Sequence, residues 1–166
     1  MTDVSALTQE EADLHFLRRS FEVARRSVTH SNHPFGSVLV DRSRNVLMEM
    51  ENGYMPSRDG TAHAERLLAS KACTMLAPDV LKHATLYSSA EPCAMCSGAI
   101  YWAGIGRLVY ALSEHRLREI TGNHPENPTL DLPCREVFRT GRRPTEVVGP
   151  LIEDEAAELH AGLWQE

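Results

Sequence analysis

No run of about 18 apolar residues occurs in the 166-residue sequence, so no membrane-spanning helix is expected. Met1 to Glu11 is polar and acidic and lacks the apolar stretch of a secretory signal, which points to the cytoplasm. Cysteine is scarce, with four residues, and without an export signal these read as thiols or metal ligands rather than disulfides. Positive charge is also short: 17 Lys and Arg against 23 Asp and Glu give a net charge of −6. A protein that clasps tRNA normally presents a basic face, so RNA is disfavoured as a partner. Arg18-Arg19, Arg25-Arg26 and Arg142-Arg143 are the local exceptions, and they read as solvated surface. No repeat, low-complexity segment or linker interrupts the chain. With 42% hydrophobic residues, positions 1–166 are expected to form one domain.

What the sequence does hold is concentrated at Glu91-Pro92-Cys93-Ala94-Met95-Cys96. Thiols at i and i+3 share a helix face, so both sulfurs can reach one ion. Pro92 suits a helix start, and the start of a helix favours thiolate over thiol. Upstream, Thr61-Ala62-His63-Ala64-Glu65 opens a second helical pattern. His63, Cys93 and Cys96 would make three zinc ligands with the fourth position open, the mark of a catalytic site rather than a structural one. Glu65 is the natural proton carrier beside it, provided that the site lies off the helix N-terminal end, because i and i+2 do not share a face. A redox pair or half of a zinc knuckle is the competing reading of Cys93-x-x-Cys96. The redox pair leaves His63 and Glu65 unexplained, and the knuckle needs a second such pair that the sequence lacks.

His63-Ala64-Glu65 followed by Pro92-Cys93-Ala94-Met95-Cys96 resembles the H-x-E…P-C-x-x-C signature of zinc nucleobase deaminases. The chain therefore resembles the cytidine-deaminase-like superfamily, in particular its guanine deaminase and tRNA adenosine deaminase branch. Pro34-Phe35-Gly36-Ser37-Val38-Leu39-Val40, Asn52, and Gly98-Ala99-Ile100-Tyr101-Trp102-Ala103 extend the likeness, which fades after Leu112.

In chain order, Thr8-Gln9-Glu10-Glu11 has capping-box form, and Leu14, Leu17, Phe21, Ala24 and Val28 trace one face of a helix. Ser37–Asp41 and Val46–Asn52 predict a hairpin, with Gly36 allowing a flat base to lie close beside Phe35. A helix over Ala62–Leu76 is expected to turn Leu67, Leu68, Cys73 and Leu76 inward. Strands at Ala84–Ser89 and Arg107–Ala111, joined by the Cys93–Ala103 helix, predict a right-handed βαβ unit with parallel strands. Helices over Glu114–Ile120, Glu136–Gly141 and Glu153–Trp164 and a last strand at Glu146–Val148 follow. Gly122–Pro133 holds three prolines and reads as an irregular lid or contact loop. The sum is an α/β fold, a mixed sheet of about five strands with helices on both faces. The resemblance implies a three-layer α/β/α sandwich and a homodimer.

The expected reaction is zinc-dependent hydrolytic release of ammonia from a small nucleobase or nucleoside, most like that of guanine deaminase. Alternatives are a tRNA adenosine deaminase, a deaminase of cytosine or amino-triazine bases, and a non-catalytic zinc module with a fourth protein ligand. Glu65 is read as general acid and base. The resemblance implies that Asn52 grips substrate, and the Ala64 N–H and the Ser89 or Glu91 carbonyl can complete its recognition. The Glu91 side chain otherwise caps the Cys93 helix, and Trp102 is read first as core. Guanine deaminases of this fold carry an acidic residue downstream of the metal helix, where this chain offers His124. Glu114, Glu126 and Asp131 lie nearby but out of register.

Overall fold

Five strands form one mixed sheet in the computed structural model, which describes residues 2–165. β1 (Gly36–Val40) and β2 (Val46–Glu51) are an antiparallel hairpin whose turn is held by Asp41, its Oδ1 accepting from the Ser43 and Asn45 N–H groups. β1 pairs antiparallel with β3 (Thr85–Ala90). β3 runs parallel to β4 (Arg107–Leu112), and β4 to β5 (Glu146–Val148), giving the order β2-β1-β3-β4-β5. The parallel β3–β4 pair is bridged by α4 (Ala94–Ala103), as a crossover between parallel strands requires.

Alternate side chains of the central strands go to opposite layers. Val38, Val40, Tyr87 and Val109 pack with α1 (Gln9–Thr29) and with Ala156 of α7 (Glu153–Glu158). Leu39, Leu86, Leu108 and Tyr110 pack with α2 (Ala64–Met75), with Leu81 of α3 (Pro78–Lys82), with α4, and with α6 (Cys134–Arg139). The fold is therefore the expected α/β/α arrangement. α5 (Glu114–Thr121) leaves the end of β4 beside the starts of α2 and α4.

The capping box at Thr8 and Glu11 forms, but the buried stripe of α1 differs from the apolar one. It runs through Ala12, Asp13, Phe16, Leu17, Ser20, Phe21, Ala24 and Ser27, while Val28 is exposed. Ser20 and Ser27 can be buried because each hydroxyl donates to a backbone carbonyl, that of Leu17 and that of His33. Cys73 is likewise corrected: it is exposed, because Leu68, Ala69 and Ala72 already define the inner face of α2. α7 stops at Glu158 rather than near Trp164, and the chain then turns so that His160 and Trp164 are both buried. Gly36 is needed by the close approach of α1. A Cβ there would lie 2.5 Å from the Ala24 nitrogen and 2.6 Å from the Ser20 carbonyl oxygen.

Asp13 is the ionised group of this core, only 4% exposed. Arg107 grips it with two 2.7 Å hydrogen bonds and the Tyr87 hydroxyl donates at 2.8 Å. Burial pushes the carboxyl up, but these bonds outweigh it and hold it below its ordinary value. Breaking a buried pair from one side costs about 3–5 kcal/mol. Asp13→Ala is expected to lower unfolding free energy by about 3 kcal/mol in urea melts near neutral pH. The sign with pH follows from the depressed value: the contribution is complete above the ordinary 3.8 and fades as pH falls below it. Acidification should therefore narrow the gap between wild type and variant.

Candidate active site

His63 is the N-cap of α2 and Cys93 the N-cap of α4, with Cys96 one turn on. Neither cap residue spends its side chain on the helix, so both point off the helix ends toward each other. Both sulfurs lie 3.6 Å from Nδ1 of His63. A tetrahedral zinc with arms of about 2.0 Å to nitrogen and 2.3 Å to sulfur has an N···S edge of about 3.5 Å. The donor set therefore fits zinc in kind and in spacing. Among the described residues no fourth His, Cys, Asp or Glu joins this group, so a closed structural site is not built here.

Without metal, the sulfurs behave as a coupled pair. The hydrogen bond between them pulls Cys93 down, to about 4, and holds Cys96 up, with His63 adding to the first effect and burial to the second. His63 is raised, first by its bond to Cys93. Glu65 is 5% exposed, and burial raises its carboxyl above the ordinary range. Ser88 donates to its Oε1 at 3.0 Å and Cys96 lies 3.9 Å from its Oε2, which fixes the carboxyl between sheet and metal ligands.

These groups open into a cavity of about 460 Å³. Asn52, Phe35, Glu65, His63, Cys93 and Glu91, far apart in sequence, all line it. Ala64 and Cys96 sit buried just behind. The Asn52 amide oxygen accepts from the Tyr54 N–H at 3.0 Å, which leaves its NH₂ free toward the cavity. The roof is Pro125–Leu130, from the segment predicted to be irregular, and it has no helix or strand. His33 and Phe35, backed by Trp164 and His160, form the side wall. His160 donates nothing to Trp164 but accepts from its indole N–H at 3.1 Å, and burial holds the imidazole down at about 4, in its neutral form.

Three expectations are corrected. His124 does not face the cavity: its ring stands edge-on against Trp164, and its Nδ1 accepts from the Glu126 N–H. The Glu91 side chain does not cap α4. Its two oxygens accept from the Glu114 and Cys134 N–H groups at 2.9 Å each, tying α5 and α6 to the metal turn. Trp102 is not core but 83% exposed, on the outward face of α4. Of the acidic candidates left out of register, Glu114 and Glu126 line the cavity, while Asp131 pairs with Arg118 at the surface. Burial, then the charges of Cys93, Glu91 and Glu65, pushes Glu114 up to about 7.

The profile of the cytidine and deoxycytidylate deaminase zinc-binding region matches residues 10–112. A probable cytosine deaminase of Schizosaccharomyces pombe is 42% identical over 97% of this chain and 98% of its own length. A tRNA-specific adenosine deaminase of Agrobacterium fabrum is 37% identical over 92% of this chain and 93% of its own. Guanine deaminase from Nitrosomonas europaea has a solved structure that superposes with a TM-score of 0.72 at 27% identity. That likeness covers 87% of this chain and 80% of the other.

Proposed function

From the premise that this chain belongs to the cytidine and deoxycytidylate deaminase family of zinc-dependent hydrolases, we propose that its substrate is a small free nucleobase of the amino-lactam kind. Guanine and cytosine are both such bases and are named among its relatives. The observation that carries this reading is the lining of the cavity. Asp59, Glu65, Glu91, Glu114 and Glu126 face it, and among the described residues no Lys or Arg does. A nucleotide or an RNA backbone would meet carboxylates where its phosphates need cations. Arg18, Arg19 and Arg26 are likewise spent on Glu155, Glu49 and Glu51. The tRNA adenosine reading is the weaker one on these grounds.

What zinc supplies between His63, Cys93 and Cys96 is Lewis acidity, enough to bring the ionisation of water from a pKa of about 15.7 toward neutrality. Glu65 takes the proton from the attacking water, passes it to the ring nitrogen beside the amino-bearing carbon, and then helps ammonia depart. Its raised affinity for a proton, a consequence of burial, suits a group that must hold one and release it. Asn52 donates its free NH₂ to a carbonyl of the base, and the unpaired Ala64 N–H at the start of α2 adds a second donor. Phe35 and Leu117 offer apolar surface to the ring. Ammonia release from the zinc-loaded protein, screened over guanine, adenine, cytosine, their nucleosides and amino-triazines, tests the reading. Turnover confined to an anticodon stem-loop would overturn it.

The protein is further taken to work as a homodimer, through the face of α4 that leaves Trp102 in water. Sedimentation at the monomer mass would remove that part of the proposal.

A further inference from the structure

Residues 114–134 make one wall and the roof of the cavity. α5 contributes Glu114 and Leu117, and the irregular stretch after it contributes Pro125–Leu130. The segment begins on the first residue of α5 and ends on the first residue of α6, Cys134. The first N–H groups of a helix have no partner within it, so each of these two feet carries an orphan donor. Neither is satisfied locally. The hydroxyl of Ser113, the N-cap of α5, accepts from the Arg116 N–H and not from that of Glu114. Pro133, the N-cap of α6, has no acceptor in its side chain.

Both donors end on one side chain instead. Glu91 is 8% exposed, and its two oxygens accept from the Glu114 and Cys134 N–H groups at 2.9 Å each. These two bonds are buried, whereas the contacts of the same segment through Arg116 to Asp154 and through Glu126 to His33 lie open to water. The backbone of Glu91 is fixed in turn. Its N–H donates to the Leu112 carbonyl at 2.7 Å, at the end of β4. Pro92 and Cys93 follow directly, and there the Ser97 hydroxyl closes the turn on the Pro92 carbonyl at 3.1 Å. A single carboxylate therefore stands between the turn that carries two metal donors and both ends of the segment that encloses the cavity.

We propose that Glu91 is a positioning residue of the reaction: by stapling both feet of the wall-and-roof segment to the metal turn, it sets the distance between the base and the metal. The inference rests on the deaminase reading above, and not on which base is turned over. An amide cannot replace the carboxylate, because its NH₂ would face one of the two N–H donors. Misplacing a bound reactant by about 1 Å can cost about 100-fold in rate, so a loosened wall is felt at the metal although the carboxylate itself is turned to the helix starts.

The test compares zinc-loaded wild type with Glu91→Gln and Glu91→Ala by ammonia release, elemental analysis and amide hydrogen exchange. Glu91→Ala is expected to keep one zinc per chain and to lose about 100-fold in kcat/KM, the greater part of it through KM. Glu91→Gln retains one acceptor and should fall between the two. In the alanine variant, exchange should accelerate by about tenfold or more over residues 114–134 and stay as it was in α1, β1 and β3. A role confined to stability would speed exchange throughout the chain and leave KM unchanged, and that result would overturn the proposal. Loss of zinc from Glu91→Ala would overturn it as well, since Glu91 would then serve the ligands and not the wall. So would exchange over residues 114–134 no faster than in wild type. Should wild type release ammonia from no base offered, the substrate class is at fault, and exchange in the two variants still decides whether Glu91 holds the segment.

Discussion

Glu65→Gln is expected to lower kcat by about 10²–10⁴-fold while leaving one zinc per chain. Glutamine keeps the size of the side chain and an oxygen for Ser88, so the local packing of β3 against α2 survives. What it loses is the capacity to take a proton from water and deliver it to the ring. The measurement is a paired one, ammonia release for turnover and elemental analysis for metal. Turnover within tenfold of wild type would remove Glu65 from the proton path. Loss of zinc together with turnover would instead make its role one of holding the site.

The second large effect concerns the metal. Cys96 is fully buried and, with Cys93 and His63, offers the three donors whose spacing fits zinc. Cys96→Ala leaves one sulfur and one nitrogen, and is expected to abolish stoichiometric zinc and all ammonia release. Chelation of the wild type separates metal loss from loss of the sulfur itself. An ion bound only by the folded chain stabilises it by RT ln(1 + [L]/Kd), about 4 kcal/mol when free zinc is a thousandfold above Kd. The thermal midpoint should therefore fall on chelation and recover, with activity, when zinc is restored. A Cys96→Ala protein still carrying one zinc per chain, or a melt indifferent to chelator, would sink the assignment of ligands.

The metal donors were legible in the sequence because their chemistry is local: Cys93 and Cys96 share a turn, and His63 precedes a helix of its own. The hairpin and the parallel β3–β4 unit were legible for a similar reason, since strand alternation and crossover handedness are short-range rules. The misreadings share a cause. Val28, Cys73 and Trp102 read as inward because they are apolar, yet burial is set by which face meets the sheet. That face of α1 admits Asp13 only because Arg107, far along the chain, arrives to pair with it. Glu114 is out of sequence register, and its place at the cavity comes from the departure of α5 off β4 and from the Glu91 strut. His124 fell in register and yet packs behind the wall, because the path of an irregular loop cannot be read from residue spacing.

The cavity roof has a consequence of its own for how this scaffold changes over time. The groups that hold the ion sit on helix starts wedged against two apolar cores, where a one-residue insertion would throw side chains out of line. Pro125–Leu130 belong to backbone with no ladder or helix to disrupt, and lengthening or trimming such a segment is thermodynamically mild. The metal-holding helix starts and the cavity roof are thus housed in separate stretches of chain. A lineage can rewrite these six roof residues while the helix starts that hold the ion stay intact.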